Sequence, residues 1–188
     1  MPRLLLLNGP PGIGKSTLAR RYVADRPLAL CLDVDLLRSQ VGRWEDHERP
    51  AGLLARELAA QMARVHLGAG HDVVVPQLLV RPEFADRLRD LAAEVGAGFV
   101  EVVLMDDKDR ALARFDARSL DPGLAAHHQQ VEPFAGGPAG LGATYDQLVA
   151  FQAERPGAVV VQSRWRDVEA TYRDLLAAVR LRPGRSGR

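Results

Sequence analysis

Residues 9–17 read Gly-Pro-Pro-Gly-Ile-Gly-Lys-Ser-Thr, directly after an apolar run of four leucines at residues 4–7 and Asn8. The stretch fills every fixed position of the pattern G-x-x-x-x-G-K-[ST]. Glycines let the backbone wrap closely around phosphate oxygens, and a following helix adds its positive N-terminal end. A strand before the motif and a helix after it are the context that the pattern requires, so the sequence predicts a phosphate-binding loop.

Each residue type in the loop has a chemical reason. Because Pro10 and Pro11 have no N–H group, the amides that cradle phosphate must come from residues 12–17. Lys15 can bridge the β- and γ-phosphates, and Ser16 can bind Mg²⁺. The alternative is a glycine-rich turn that merely starts a helix. We expect ATP and Mg²⁺ as cofactors, with the nucleotide contacting Gly9, Gly12, Ile13, Gly14, Lys15, Ser16 and Thr17.

Length, composition and charge limit the classes of protein to which the chain can belong. The chain has 188 residues, 47% hydrophobic, with a net charge of +1, and we expect one domain over residues 1–182 with a flexible tail at 183–188. That charge gives no general nucleic-acid signal. No apolar run approaches the ~20 residues of a membrane helix, so we expect no membrane partner. A single cysteine, Cys31, fits a reducing cytoplasm.

The periodicity predicts an α/β fold. Short runs that are apolar, except for Glu101, are typical of buried strands and occur at residues 4–7, 28–32, 73–75, 99–104 and 158–161. Helical spacing occurs at 15–24, 35–41, 51–67, 82–95, 107–117, 144–154 and 167–179, where residues 54, 58, 62 and 65 would form the apolar face of the third helix. The alternation indicates a five-stranded parallel sheet between two helical layers.

An acidic pair follows the second predicted strand. Asp33 and Asp35 would point to the same side of an extended segment, and Arg38 lies one helical turn beyond Asp35. One carboxylate could orient an acceptor hydroxyl, and the other, Asp33, could bind Mg²⁺ through water. The alternative for Asp35 is that it caps the next helix. Arg38 could bind the acceptor or pair with Asp35.

Residues 9–17 together with residues 32–38 resemble the shikimate-, gluconate- and adenylylsulfate-kinase group of P-loop kinases. Within that group the chain is most similar to the chloramphenicol phosphotransferase-like and polynucleotide-kinase-like branch, the zeta-toxin or AAA_33-type domains. The resemblance covers residues 1–119. It implies that Asp35 is the base or orienter of the acceptor hydroxyl, and that Arg38 matches the Asp-x-x-Arg of polynucleotide and adenylylsulfate kinases.

The chain departs from these relatives after its third strand. Many relatives carry an aspartate there, whereas here the strand runs into Pro76 and Gln77. Glutamine can form hydrogen bonds but supplies no charge. Either Asp33 or Asp106 provides the missing carboxylate, or Ser16 and water alone bind the metal.

Arginines recur every four residues in the helix at 107–117. Arg110, Arg114 and Arg118 share one face, and a segment rich in glycine and proline follows. The resemblance implies a mobile lid, about residues 114–142, that closes on ATP. We expect Arg114 and Arg118 to neutralise charge on the transferring phosphoryl group. The alternative is a solvated charged face.

These patterns predict an ATP-dependent phosphotransferase that acts on a hydroxyl of a small metabolite or antibiotic. Its catalytic residues would be Lys15, Asp35, Arg38, Arg114 and Arg118. A polynucleotide 5′-hydroxyl kinase is the less favoured alternative, because it requires a basic channel that the composition does not show. An ATP-driven switch without a phosphoacceptor is the alternative from another class.

Overall fold

A computed structural model describes residues 1–119 and 137–181, except for the side chains of residues 116–119 and 137–139. Its centre is a five-stranded parallel sheet in the order β2-β3-β1-β4-β5. The strands are β1 (Arg3–Asn8), β2 (Leu30–Cys31), β3 (Val73–Pro76), β4 (Gly98–Met105) and β5 (Val159–Gln162). The predicted parallel α/β sheet is confirmed.

Helices cover both faces of this sheet. One core contains apolar residues of α1 (Lys15–Ala24) and α7 (Val168–Leu181), and the other contains residues of α3 (Glu48–Gly68), α4 (Pro82–Glu94) and α6 (Gly137–Ala153). Two further helices, α2 (Val34–Ser39) and α5 (Lys108–Ser119), begin at the carboxyl edge of the sheet, and a 3-10 turn spans Trp44–His47. The architecture is therefore the predicted three-layer sandwich.

The central strand β1 determines where the phosphate loop lies. Its four leucines at residues 4–7 are fully buried and alternate between the two cores. β3 and β4 pair with β1 on either side. Because the strand is fixed on all sides, the loop that leaves it at Asn8 starts from a rigid point at the carboxyl edge of the sheet, where ligands of such folds bind.

The predicted apolar face of α3 is wrong. Leu54, Leu58, Met62 and Val65 are exposed, and the buried face consists of five alanines and Leu67: Ala51, Ala55, Ala59, Ala60, Ala63 and Leu67. The small alanine side chains allow the helix to pack close to its neighbours. The prediction failed because it followed the large apolar side chains, which lie on the exposed face. The helix also begins at Glu48, earlier than the predicted residue 51, because Pro50 is tolerated in a first turn.

The glycine-rich stretch of the predicted lid is helical at its far end. α6 begins at Gly137 although residues 137–142 contain three glycines and a proline, because Leu141 packs into a small cluster with Phe115 and Leu112 of α5. Residues 120–136 of the lid, the tail at 182–188 and the side chain of Arg118 lie outside the described residues. Over the described ranges, none of the helices is long and apolar enough to span a membrane.

Candidate active site

The phosphate loop requires glycine at defined positions. Gly9, Gly12 and Gly14 have positive φ values of 149°, 76° and 106°, which L side chains rarely adopt. A Cβ atom on Gly9 would also lie 2.6 Å from the carbonyl oxygen of Leu104. The loop therefore approaches β4 so closely that no side chain fits at its first residue.

The helix after the loop offers an uncompensated positive end. Gly14 caps α1 without a side-chain hydrogen bond, and no acidic residue occupies the first turn. The Lys15 ammonium donates hydrogen bonds to the carbonyl oxygens of Gly9 (2.8 Å) and Pro10 (2.9 Å). A lysine over the loop and the dipole of a ten-residue helix together favour an anion such as a phosphate group.

Two buried side chains brace the loop, and the sequence prediction missed both. The Asn8 amide accepts hydrogen bonds from the N–H groups of Gly9 (2.8 Å) and Leu79 (2.9 Å) and donates to the Leu79 carbonyl (2.9 Å). On the other side, the Ser163 hydroxyl donates to the Ile13 carbonyl at 2.9 Å. The sequence signal for Asn8 was a polar residue at the end of a buried strand. No sequence signal indicated the role of Ser163, because its partner Ile13 is 150 residues away.

The acidic pair is arranged differently from the extended segment that was predicted. α2 begins at Val34, and Asp33 is its N-cap, accepting from the backbone N–H groups of Asp35 (3.1 Å) and Leu36 (3.4 Å). The capping alternative thus applies to Asp33 and not to Asp35. Asp35 lies in the first turn of α2, so the alternation argument that placed both carboxylates on one side is wrong.

Asp35 is half-buried, with 35% of its side chain exposed. Burial raises the pKa of its carboxyl, and the positive charges of Arg38 and Lys15 oppose that shift. The charge of Lys15 acts on this carboxyl group, which indicates that the two sequence motifs lie near each other. Arg38 lies 3.5 Å from Asp35, is 4% exposed, and stacks its guanidinium 4.8 Å from the centre of the Trp44 ring.

Arg114 is enclosed by other residues. Its guanidinium contacts the Asp106 carboxylate at 3.0 Å, and both side chains are almost fully buried. The same group donates to the Ser163 hydroxyl (2.9 Å) and carbonyl (3.3 Å). Burial lowers the pKa of Arg114, which Asp106 counteracts. Arg114 is therefore not part of a solvated charged face. It connects α5 to Ser163, which braces the phosphate loop. Its catalytic role stays a prediction.

The donors available for a metal suit Mg²⁺. The described residues contain no group of three or more histidine, cysteine or acidic side chains that could bind a metal ion. Mg²⁺ commonly takes only one or two protein ligands and completes its shell with water and substrate phosphates. Ser16 in the first turn of α1 is half-buried, and Asp33 uses one carboxylate oxygen, Oδ1, for its capping hydrogen bonds. These two residues fit the ion, and their role as ligands stays a prediction.

Comparisons with known proteins agree with this geometry. The family model AAA_33, described as an AAA domain, matches residues 4–135. An adenylate kinase from Jannaschia sp. (strain CCS1) is 34% identical in an alignment of 119 positions that covers 57% of this chain and 61% of that protein. The chain thus aligns with less than two thirds of this curated relative.

Solved structures show the same fold. A gluconokinase from Sinorhizobium meliloti 1021 is 19% identical with a TM-score of 0.62, covering 96% of this chain and 93% of that one. An APS kinase, CysC, from Mycobacterium tuberculosis in complex with AMPPNP and APS is 16% identical with a TM-score of 0.59, covering 95% and 98%. At these identities the likeness establishes the fold alone, which is that of P-loop kinases.

Proposed function

This chain belongs to the AAA_33 family, and we propose that it is a kinase that transfers the γ-phosphate of ATP to a hydroxyl group of a small molecule. The P-loop kinase fold supports nucleotide-dependent phosphotransfer. The observation that carries the finer proposal is that Lys15, at the start of α1, and Asp35, in the first turn of α2, lie at the carboxyl edge of the same sheet, where the lysine charge acts on the carboxyl group. The Lys15 ammonium can bind a phosphate group, and the Asp35 carboxylate can accept the proton of a hydroxyl group.

The reaction follows from where these groups lie. The loop backbone and the start of α1 position the triphosphate, and Lys15 stabilises the charge on its terminal oxygens. Asp35 accepts a hydrogen bond from the acceptor hydroxyl and orients its oxygen in line with the γ-phosphorus. Bound Mg²⁺ would neutralise further phosphate charge, with Ser16 and Asp33 as its protein ligands.

An alcohol acceptor fits Asp35 better than a phosphate acceptor does. A phosphate group placed against this carboxylate would meet repulsion between two anions in a half-buried site. The Arg38 guanidinium, which could otherwise attract a phosphate, contacts Asp35 and the Trp44 ring. The site therefore favours hydroxyl phosphorylation over the nucleotide-phosphate chemistry named for the adenylate kinase relative.

The test is transfer of label from γ-labelled ATP. We would incubate the protein and Mg²⁺ with D-gluconate, chloramphenicol, AMP, a 5′-hydroxyl oligonucleotide, or no acceptor. We expect label in one of the two small hydroxylated compounds. Label in AMP would indicate a phosphate acceptor, and label in the oligonucleotide would indicate a nucleic-acid acceptor; either result would exclude the proposed small hydroxylated acceptor. Hydrolysis of ATP without any labelled acceptor would favour an ATPase.

Two variants separate nucleotide binding from transfer. Lys15→Ala should lose Mg-ATP binding and turnover, and Lys108→Ala is its matched control, because that lysine is on α5 and pairs with Asp146 at the surface. Asp35→Asn should retain Mg-ATP binding but lose transfer by about 10²–10⁴-fold, with the exposed Asp90→Asn as control. An unchanged transfer rate in Asp35→Asn would exclude its catalytic role.

A further inference from the structure

Gln77 lies at the edge of the sheet between the phosphate loop and α2. It follows the last residue of β3, and its N–H group continues the ladder with β1 by donating to the Leu7 carbonyl at 3.0 Å. Pro76 pairs with Leu7, and Val74 pairs with Cys31 on the other side. If the β1–β3 pairing continues by one residue, Gln77 lies opposite Asn8. If the β2–β3 pairing continues to the same point, Gln77 lies opposite the start of α2.

The segment that carries Gln77 is fixed at both ends. Before it, β3 is buried in the sheet. After it, the two hydrogen bonds between the Asn8 amide and the Leu79 backbone, each 2.9 Å long, hold the chain against β1. The backbone of Gln77 is therefore held at the carboxyl edge of the sheet.

The amide oxygen of Gln77 lacks a partner. The residue is 8% exposed, and its Oε1 atom is buried without a hydrogen bond from any residue that the structure describes. Leaving a buried carbonyl oxygen without a donor opposes folding, and such atoms are rare in native proteins. The position next to the phosphate loop points to a bound molecule as the missing donor.

We propose that Gln77 binds the phosphoacceptor, with its Oε1 atom accepting a hydrogen bond from an O–H or N–H group of that molecule. This inference rests on the proposed function and narrows the acceptor class. Asp35 and Gln77 both present oxygen acceptors at this edge of the sheet. They suit a molecule that offers two donors, such as two hydroxyls of a polyol, whereas the oxygens of a phosphate group would face both of them unfavourably.

The test uses Gln77→Met, which keeps the length of the side chain, and Gln77→Leu as a second apolar variant. Gln61→Leu on the exposed surface of α3 is the matched control. For the panel compound that the wild-type protein labels, both Gln77 variants should raise the acceptor KM about tenfold, the value of one lost hydrogen bond. The KM for ATP should stay within about twofold, because the residue does not contact the nucleotide in this proposal.

The melting temperature is a second measurement, and it distinguishes a binding role of Gln77 from a purely structural one. Gln77→Met should melt at the same temperature as the wild type or higher, because it removes a buried oxygen without a partner. An unchanged acceptor KM, an equal rise in both KM values, or a lower melting temperature in both variants would overturn the proposal. If the wild type labels no compound, the proposed function fails too; if it labels one and the variants behave as wild type, only the role of Gln77 fails.

Discussion

Replacing Asp106 with asparagine should lower the free energy of unfolding by about 3–5 kcal/mol, because it leaves the Arg114 guanidinium buried without its counter-charge. The two groups are 3.0 Å apart, with side chains 6% and 2% exposed. For a chain of this length, that change corresponds to a melting temperature lower by about 6–20 °C. The surface pair Lys108 and Asp146, with its lysine 41% exposed, should be worth less than about 1 kcal/mol.

The surroundings of the pair add to this effect. Gln162 donates to the Asp106 carboxylate at 3.1 Å, and the Asp107 N–H group donates to it at 2.9 Å. Arg114 in turn contacts Ser163, which donates to the phosphate loop at Ile13. Asp106→Asn should therefore also weaken Mg-ATP binding, because the brace on the loop loses its support.

A double variant separates stability from catalysis. Asp106→Leu with Arg114→Met removes both charges and should recover most of the lost stability, as for other buried ion pairs. Urea denaturation would measure the stability of the single and double variants, and label transfer would measure activity. If Arg114 also contacts the transferring phosphoryl group, the folded double variant loses far more transfer at saturating Mg-ATP than its weaker Mg-ATP binding explains. A loss below 1 kcal/mol in Asp106→Asn would show that Asp106 does not act as the required counter-charge of a buried Arg114.

Three further predictions follow from the same geometry. Gly9→Ala should destabilise the protein by about 1–3 kcal/mol and abolish Mg-ATP binding, because its Cβ would lie 2.6 Å from the Leu104 carbonyl, whereas Gly42→Ala, with open space around it, should unfold in urea like the wild type. Asn8→Ala should cost at least ~2 kcal/mol in denaturation experiments by leaving the Leu79 backbone groups unpaired. Because burial raises the pKa of Asp35, transfer should fall as the pH drops through a value above the ordinary pKa of 3.8, and a rate profile that reaches its plateau below that value would contradict the raised pKa.

The sequence predicted the fold because local and global signals agreed. Four of the five strands were predicted from uninterrupted apolar runs, and the run of β4 is broken only by Glu101. The phosphate loop occurs in its required place between β1 and α1. The failure at α3 has a physical cause. α3 turns its alanines to the core, so that the pattern of large residues marked the wrong face. Where small residues carry the packing, hydrophobic periodicity does not identify the buried side.

The candidate site was predictable only where its residues are close in sequence. Lys15 and the loop glycines form one motif, and Asp35 with Arg38 forms another; the structure brings these two motifs together. The braces at Asn8 and Ser163 depend on partners distant in the chain, which no local pattern encodes. The capping role of Asp33 depended on whether α2 starts at Val34 or one residue later, and helix boundaries are the least certain part of such a prediction.

The alanine face of α3 also sets how closely this helix approaches α2, the helix that carries Asp35. α3 contacts α2 and the sheet, and its buried residues are alanines except for Leu67. A single valine in that row would push the helix outward by a fraction of an ångström and take α2 with it. Natural variation along this row could thus tune how large a molecule the protein admits, while every residue that reacts stays the same.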